Sequence, residues 1–503
     1  MATSKSTQCE AAQAKKGSSL FGFPKSFKKF SLGAIVVLSI AVGVQLYQGT
    51  RVTNNDQLVA VRQENILKGL EAIERSFTLR SPPPSVFVGF GSCVDIFAKA
   101  IPLFKKLGFS EPDVEKEHGV LRSSSNLLEE FLFYFKKGAA AERYVSNGEL
   151  FDKLVETAKE SDDVKIALGG NAPVIAQRIA KNGGSVVLGA QNAADLPIDS
   201  RVVPSGPFVE SSDIHLILEY DKNEKFEESS ATRANRFIVH SDRYNPVLAG
   251  LNSFKKALAE KNSPPEGLVV GGLQMMEGYE YPERRRDEHF AEIKELLSEV
   301  NEKTRVHFEL ASFVDEEILQ NIKESVIPFS DSIGMNEQEL PNLLSLMKTG
   351  KAISVSDAYP RIASVLDQMR EIYKLTKAQN YPRLLSRLHV HNIAFQAIAV
   401  RKSAGWRKTM TATAISSLTA HRHADVLSFL TQKKMDESFS KSILGLADGR
   451  VHLNPEKPVS CWEETIAGDA FKICVAPVLV CRNVKQTAGG GDNISGAGLL
   501  VQL

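Results

Sequence analysis

The chain of 503 residues is long enough for a large core and a smaller second unit. With 43% apolar and 24% charged residues, its composition is that of a globular protein, which argues against long disordered stretches. Sixty-one basic against sixty acidic residues leave a net charge of +1, without the concentrated basic face that a nucleic-acid partner requires.

Residues 1–29 are polar and basic, ending in Lys25, Lys28 and Lys29. Residues 30–47 form a continuous apolar stretch that as a helix rises about 27 Å, close to the hydrocarbon thickness of a bilayer. The long basic lead favours an uncleaved signal anchor over a cleaved signal peptide, with the N-terminus cytosolic and the body in the endoplasmic reticulum lumen. A cleaved segment would instead imply secretion. Residues 48–84 read as a linker with an amphipathic helix around Ile66–Phe77, and the prolines at 82–84 punctuate the chain before the body begins at residue 85.

In the body, short apolar runs alternate with helix-period segments. The strands expected are Ser85–Phe90, Lys165–Leu168, Val186–Leu188, Leu268–Leu273 and Val306–Leu310. Between the last two, Phe290, Ile293, Leu296, Leu297 and Val300 mark one helix face, so the pattern predicts a parallel α/β sheet covered on both sides. Ile214, Leu216, Leu218 and Tyr220 alternate with His215, Ile217 and Glu219, as in a half-exposed sheet lying over a cleft. Arg284–Arg286 read as a solvated helix start. Cys9, Cys93, Cys461, Cys474 and Cys481 contain no CxxC pair. They read as buried free thiols; a disulfide between two of the last three is the alternative, and spacing does not choose the pair.

Chemistry concentrates in four segments. Gly489, Gly490 and Gly491 precede Asp492 at an expected helix start, where free N–H groups form an anion hole and an aspartate can take a hydroxyl proton. Asn336 and Glu339, three apart after a strand, supply oxygens that suit Mg²⁺, although a capping box has the same pattern. Glu309 is a carboxylate inside an apolar strand. Gly169-Gly170-Asn171 follows a strand end, where parallel sheets bind ligands. A glycine turn or a helix cap accounts for any one of these alone; their order in one chain does not follow from that.

These motifs, together with Cys93-Val94-Asp95, the 137–144 segment KGAAAERY, ANRFI at 234–238, HFELAS at 307–312 and GMNEQEL at 334–340, resemble the ADP-dependent glucokinases of animals. That family lies within the ribokinase-like sugar kinases. The resemblance covers about residues 85–503. It implies a ribokinase-like three-layer αβα domain with a central, mostly parallel sheet and a smaller β-rich lid, with lid segments at about 96–165 and 205–240. It further implies transfer of a phosphoryl group from ADP to the 6-hydroxyl of glucose, giving glucose 6-phosphate and AMP, with one Mg²⁺ per site. Asp492 would be the general base, Gly489–Gly491 the anion hole, and Asp95, Glu142, Gly170 and Asn171 the glucose contacts. Arg236 would meet a nucleotide phosphate, Val480 would lie near the adenine, and Glu309, Glu339 and Asn336 would organise the metal. His389 and His391 are expected to serve structural hydrogen bonds. A monomer is expected.

Three positions depart from the family pattern: Gly91 stands where an Asn is usual, Gly490 where a larger apolar residue is usual, and Gln274 where a His is usual. Gly91 suggests lost hydrogen bonds to the sugar, restorable by Asn. Because no residue pattern separates ADP from ATP, an ATP-dependent ribokinase-like kinase of another sugar stays open as an alternative, and Gly91 and Gly490 leave open a catalytically weak sugar- or nucleotide-binding protein.

Overall fold

Strands whose residues are apolar on both faces must be covered on both faces, and the computed structural model shows how. It describes residues 58–282, 284–313, 315–351, 360–392, 394–423, 438–479 and 489–503. The apolar segment 30–47 and Val480 lie outside the described residues. Among the described residues no helix is long and apolar enough to cross a membrane.

Residues 60–503 form one unit, whose described residues build two large sheets and two minor two-stranded ones. The larger has ten strands, in the spatial order Ser460–Ile466, Asp469–Pro477, Phe395–Arg401, Arg387–His391, Ser332–Asn336, Arg305–Glu309, Gly267–Gly271, Ser85–Phe90, Ser185–Leu188 and Val202–Pro204. Neighbours pair in parallel from Val202–Pro204 through Arg387–His391, and the last three strands add antiparallel.

Alternate residues of each strand enter opposite cores. Val86, Val88 and Val269 pack with helices Asn171–Lys181, Thr409–His423 and Gly490–Gln502. Phe87, Leu268 and Val270 pack with helices Leu251–Ala259, Arg285–Glu299, Glu316–Ser325, Glu339–Thr349 and Ile362–Ala378. Three layers result, as the ribokinase-like expectation requires. The helix over residues 60–75 lays Ile66 and Leu70 against Leu418 and Ala476, and Glu74 takes both Arg422 guanidinium nitrogens at 2.7 and 2.8 Å.

The second sheet has six strands, ordered Val120–Leu121, Ala141–Val145, Asn235–His240, Ile214–Tyr220, Cys93–Lys99 and Lys165–Gly169. Here the strand expectation needs correcting. Lys165–Gly169 is not part of the parallel sheet but the antiparallel edge of this one, paired with Cys93–Lys99. Ile214–Tyr220 is buried on both faces rather than half-exposed. Its Leu216, Leu218 and Tyr220 join Phe104, Phe131 and Phe237 in a core of their own, while His215 and Ile217 turn to the opposite side. The same two-residue period puts Asp95 on the Cys93–Lys99 strand, and Arg236 and Ile238 on the Asn235–His240 strand, on that side.

The chain first crosses between the sheets at Gly91-Ser92. Ser92 N donates to Asn245 Oδ1 at 2.9 Å, and its carbonyl accepts from Asn245 Nδ2 and Gln191 Nε2 at 3.0 and 2.6 Å. Gly91 is not an empty slot: a Cβ there would lie 2.7 Å from Gly272 Cα and from Met275 Sδ. The expectation that Asn would restore lost contacts at this position is corrected by that close backbone approach. Two of the cysteines are also corrected. Cys461 and Cys474 sit directly opposite on paired antiparallel strands and form a disulfide, while Cys93 remains a buried free thiol.

Candidate active site

Between the two sheets lies a cleft of about 420 Å³. Of the site residues expected from sequence it brings together Asp95, Glu142, Gly170, Asn171, Arg236, Glu309, Asn336, Glu339, Gly489, Gly490, Gly491 and Asp492. Only Val480 lies outside the described residues.

Gly489, at φ +68°, takes the left-handed backbone that caps the helix Gly490–Gln502. The first turn of that helix therefore opens its N–H groups on the cleft, and Asp492 stands in that turn. Gly491 is close to a requirement, since a Cβ would come within 2.7 Å of His391 Cε1. Asn171 Nδ2 donates to Asp492 Oδ1 at 2.8 Å. Desolvation in the cleft and the nearby Glu309 charge push the Asp492 carboxyl up to about 7, against the pull of the Asn171 hydrogen bond. A carboxylate that holds and releases a proton near neutrality suits a general base.

Across the cleft, Glu309 is 2% exposed, and both its oxygens are engaged: His307 Nε2 at 3.0 Å and His391 Nε2 at 2.9 Å. Burial opposes ionisation, yet these two donors hold Glu309 well below the usual carboxylate range, and His391 in turn is pushed up to about 9. His391 is thus the cation of a buried pair inside the cleft. His389, by contrast, meets Gln396 Oε1 at 3.3 Å within the core, a structural role as expected.

Asn336 and Glu339 do form the capping box. Glu339 Oε2 accepts from Asn336 N at 2.8 Å, Glu339 Oε1 accepts from Asn336 Nδ2 at 2.7 Å, and Asn336 Oδ1 accepts from Glu339 N at 2.9 Å. Both residues nonetheless line the cleft. Burial pushes Glu339 up to about 8, and the charges of Glu309 and Glu337 add to the effect.

The small sheet supplies the other wall. Burial raises Asp95 to about 6, with His215 pulling the other way. His215 Nδ1 lies 3.4 Å from Glu142 Oε1, and its Nε2 lies 3.0 Å from Asp242 Oδ2. Although burial disfavours the imidazolium, Asp242 together with Glu142 and Asp95 outweighs it and lifts His215 to about 10. A charged donor therefore stands between two carboxylates, an arrangement that suits a polyhydroxylated ligand, whose hydroxyls both donate and accept. Burial lowers Arg236, while Glu142 and Asp95 favour its charge.

Sequence reasoning missed His215, Gln274, Glu337 and His391 as cleft residues. The one signal available for His215 was its place in an alternating strand, opposite the apolar set.

A doubly covered α/β sheet, a second sheet facing it, a glycine-cradled helix terminus and a raised aspartate together define a phosphotransferase of the ribokinase-like class. Comparison with known proteins narrows the class. The conserved region of the ADP-specific phosphofructokinases and glucokinases matches residues 84–501. The ADP-dependent glucokinase of Bos taurus is 33% identical over 82% of this chain and 83% of its own length. A probable ADP-dependent glucokinase of Caenorhabditis elegans is 26% identical over 82% and 84%. An ADP-dependent kinase solved with fructose 6-phosphate and ADPβS shares the fold, with a TM-score of 0.61 at 15% identity over 87% of this chain and 97% of that one. The chain belongs to the ADP-specific phosphofructokinase/glucokinase family.

Proposed function

We propose that this chain is an ADP-dependent glucokinase, making glucose 6-phosphate and AMP from glucose and ADP. The observation that carries the reading is the position of Asp492, presented by a glycine-capped helix N-terminus and aimed by Asn171 into the cleft that holds Asp95, Glu142 and His215.

Asp95, Glu142, His215, Gly170 and Asn171 orient the sugar with its 6-hydroxyl at Asp492. The hydroxyl oxygen attacks the β-phosphorus of ADP as its proton passes to Asp492. The bond from that phosphorus to the bridging oxygen breaks, and AMP leaves with the electron pair. The open N–H groups of the Gly490–Gln502 helix stabilise charge on the transferring group, and Arg236 offers a fork to a nucleotide phosphate.

A divalent cation fits the opposite wall. Glu309, Glu337 and Glu339 crowd like charge, and the raised Glu339 is what a hard cation would relieve. Because Glu309 and Glu339 already accept hydrogen bonds on both oxygens, they and Asn336 would hold Mg²⁺ through its water shell. The cation would supply neutralisation of the diphosphate charge. The apolar stretch 30–47 supports a membrane anchor with a lumenal body in the endoplasmic reticulum, and a monomer is the simplest assembly. Protease protection of the body in intact microsomes tests the topology.

Initial rates with glucose and Mg²⁺, comparing ADP with ATP, test the activity. Turnover with ADP and a drop of about 10²–10⁴-fold in Asp492→Asn is expected. Wild-type rates in Asp492→Asn would remove the base. A folded wild-type chain inert with both nucleotides would leave a binding protein.

A further inference from the structure

Asp492 does not receive its hydrogen bond from an isolated amide. Asn171 Nδ2 donates to it at 2.8 Å, and Asn171 Oδ1 in turn accepts from Gln274 Nε2, also at 2.8 Å. An asparagine side chain has one donor end and one acceptor end. An ionised carboxylate can be met only by the donor end, so the acceptor end must face away and find a donor of its own. Gln274 is that donor. It is 9% exposed, and its Oε1 has no hydrogen-bond partner among the described residues.

Its backbone leaves it little freedom. Gln274 lies in the single turn Leu273–Met276, which follows Gly272 at φ +81°. A Cβ on Gly272 would lie 2.4 Å from Gly91 Cα, so the turn is seated on the crossover between the two sheets. The side chain is held at the cleft from behind.

The geometry points to Gln274 as a positioning residue for phosphoryl transfer: its amide N–H completes the polarity in which Asn171 donates to Asp492 and holds the base ready to accept a proton. This rests on the reading of Asp492 as the base. The opposite polarity is equally complete. Asn171 Nδ2 would then donate to Gln274 Oε1, and Asn171 Oδ1 would face Asp492, which satisfies it only as a protonated carboxyl. The two arrangements differ by one proton on Asp492, and residue 274 decides which of them can form. Glutamine allows the productive one, methionine supports neither, and an ionised glutamate, which only accepts, enforces the unproductive one.

The other charged groups facing Asp492 are Glu309 on the Arg305–Glu309 strand, His391 on the Arg387–His391 strand and Asp95 on the small sheet. On its own helix the next residue, Asn493, is tied to Arg178 Nε at 2.7 Å. Among the described residues none of these is hydrogen-bonded to Gln274, so altering residue 274 leaves these groups themselves in place.

The test is the pH profile of kcat/KM for glucose at saturating ADP in wild type, Gln274→Glu, Gln274→Met and Asp492→Asn. Loss of a hydrogen bond to a charged acceptor predicts that the acidic limb moves up by about one to two pH units in Gln274→Glu. Gln274→Met should move it less, in the same direction, with KM for ADP unchanged in both. A residue that only supports the fold would scale the whole curve and leave its limb in place. A limb unmoved in Gln274→Met, or in both variants, overturns the proposal. If Asp492→Asn is inactive while the limb stays put, the base stands and only the role of Gln274 is lost. If Asp492→Asn keeps wild-type activity, the underlying reading of the site fails first.

Discussion

Asp492 sits among like charges, and its behaviour should show in the pH dependence of the reaction. As a base it works only when ionised. With its carboxyl raised to about 7, kcat/KM is expected to rise with pH through about 7 and to fall away on the acid side. A limb near pH 4, the ordinary carboxylate range, would mean that the cleft does not desolvate it. On the far wall, His391→Leu strips one of the two partners from buried Glu309. Breaking a buried pair destabilises strongly, but His307 remains, so a loss of up to about 3 kcal/mol is expected in denaturant unfolding. At Gly91 the family comparison suggests adding a side chain, and the packing says the reverse. Gly91→Asn drives a Cβ into the Gly272 backbone, where neighbours cannot yield, and should cost about 1–3 kcal/mol while lowering kcat/KM for glucose. Improved glucose binding in that variant would show that the crossover relaxes more readily than its contacts imply. Asp492 and the glycines could be read in the sequence because their chemistry is local: three glycines and an acid at a helix start. Gln274 and His391 could not, because what they do depends on Asn171 and Glu309, which lie 103 and 82 residues away along the chain.

At the scale of single elements, periodicity placed the strands well and their sheets less well. Ser85–Phe90, Ser185–Leu188 and Gly267–Gly271 fall where the apolar runs predict. Lys165–Gly169 was equally visible as a strand, yet its pairing with Cys93–Lys99 is set by the second core, not by its own residues. Ile214–Tyr220 shows why alternation misleads near a cleft: its polar side is buried against ligand-binding space instead of facing solvent. The cysteine pair was unreadable for a related reason. Only the register that sets Cys461 opposite Cys474 selects it from three candidates. Closing a loop with a sequence separation of 13, this bond should contribute about 1–3 kcal/mol. The double variant Cys461→Ser, Cys474→Ser is therefore expected to melt earlier and to keep wild-type kcat. A changed kcat would mean that the edge strands communicate with the cleft.

For the whole molecule, the division of labour between the sheets is the consequential feature. The large sheet carries Glu309, Asn336 and, through its covering helix, Asp492, while the small sheet carries Asp95, Glu142, His215 and Arg236. Neither half alone holds both the base and the full set of sugar-facing groups, since Asp95, Glu142 and His215 lie on the small sheet. Productive binding should therefore draw the sheets together over the cleft and exclude the water that would otherwise hydrolyse ADP. The crossover at Ser92, braced by Asn245 and Gln191, is one of the passages between the sheets that such a motion must flex. Small-angle scattering should show a smaller radius of gyration with glucose plus AMP than with neither. Asn245→Ala removes both hydrogen bonds to Ser92 and also a 2.7 Å bond to Asp242, the partner of His215. That variant is expected to bind ADP normally, to compact less with ligands and to release more phosphate per glucose phosphorylated. Unaltered coupling in Asn245→Ala, with normal compaction, would place the hinge elsewhere. Normal compaction with poor coupling would instead assign the loss to His215, whose charge Asp242 maintains.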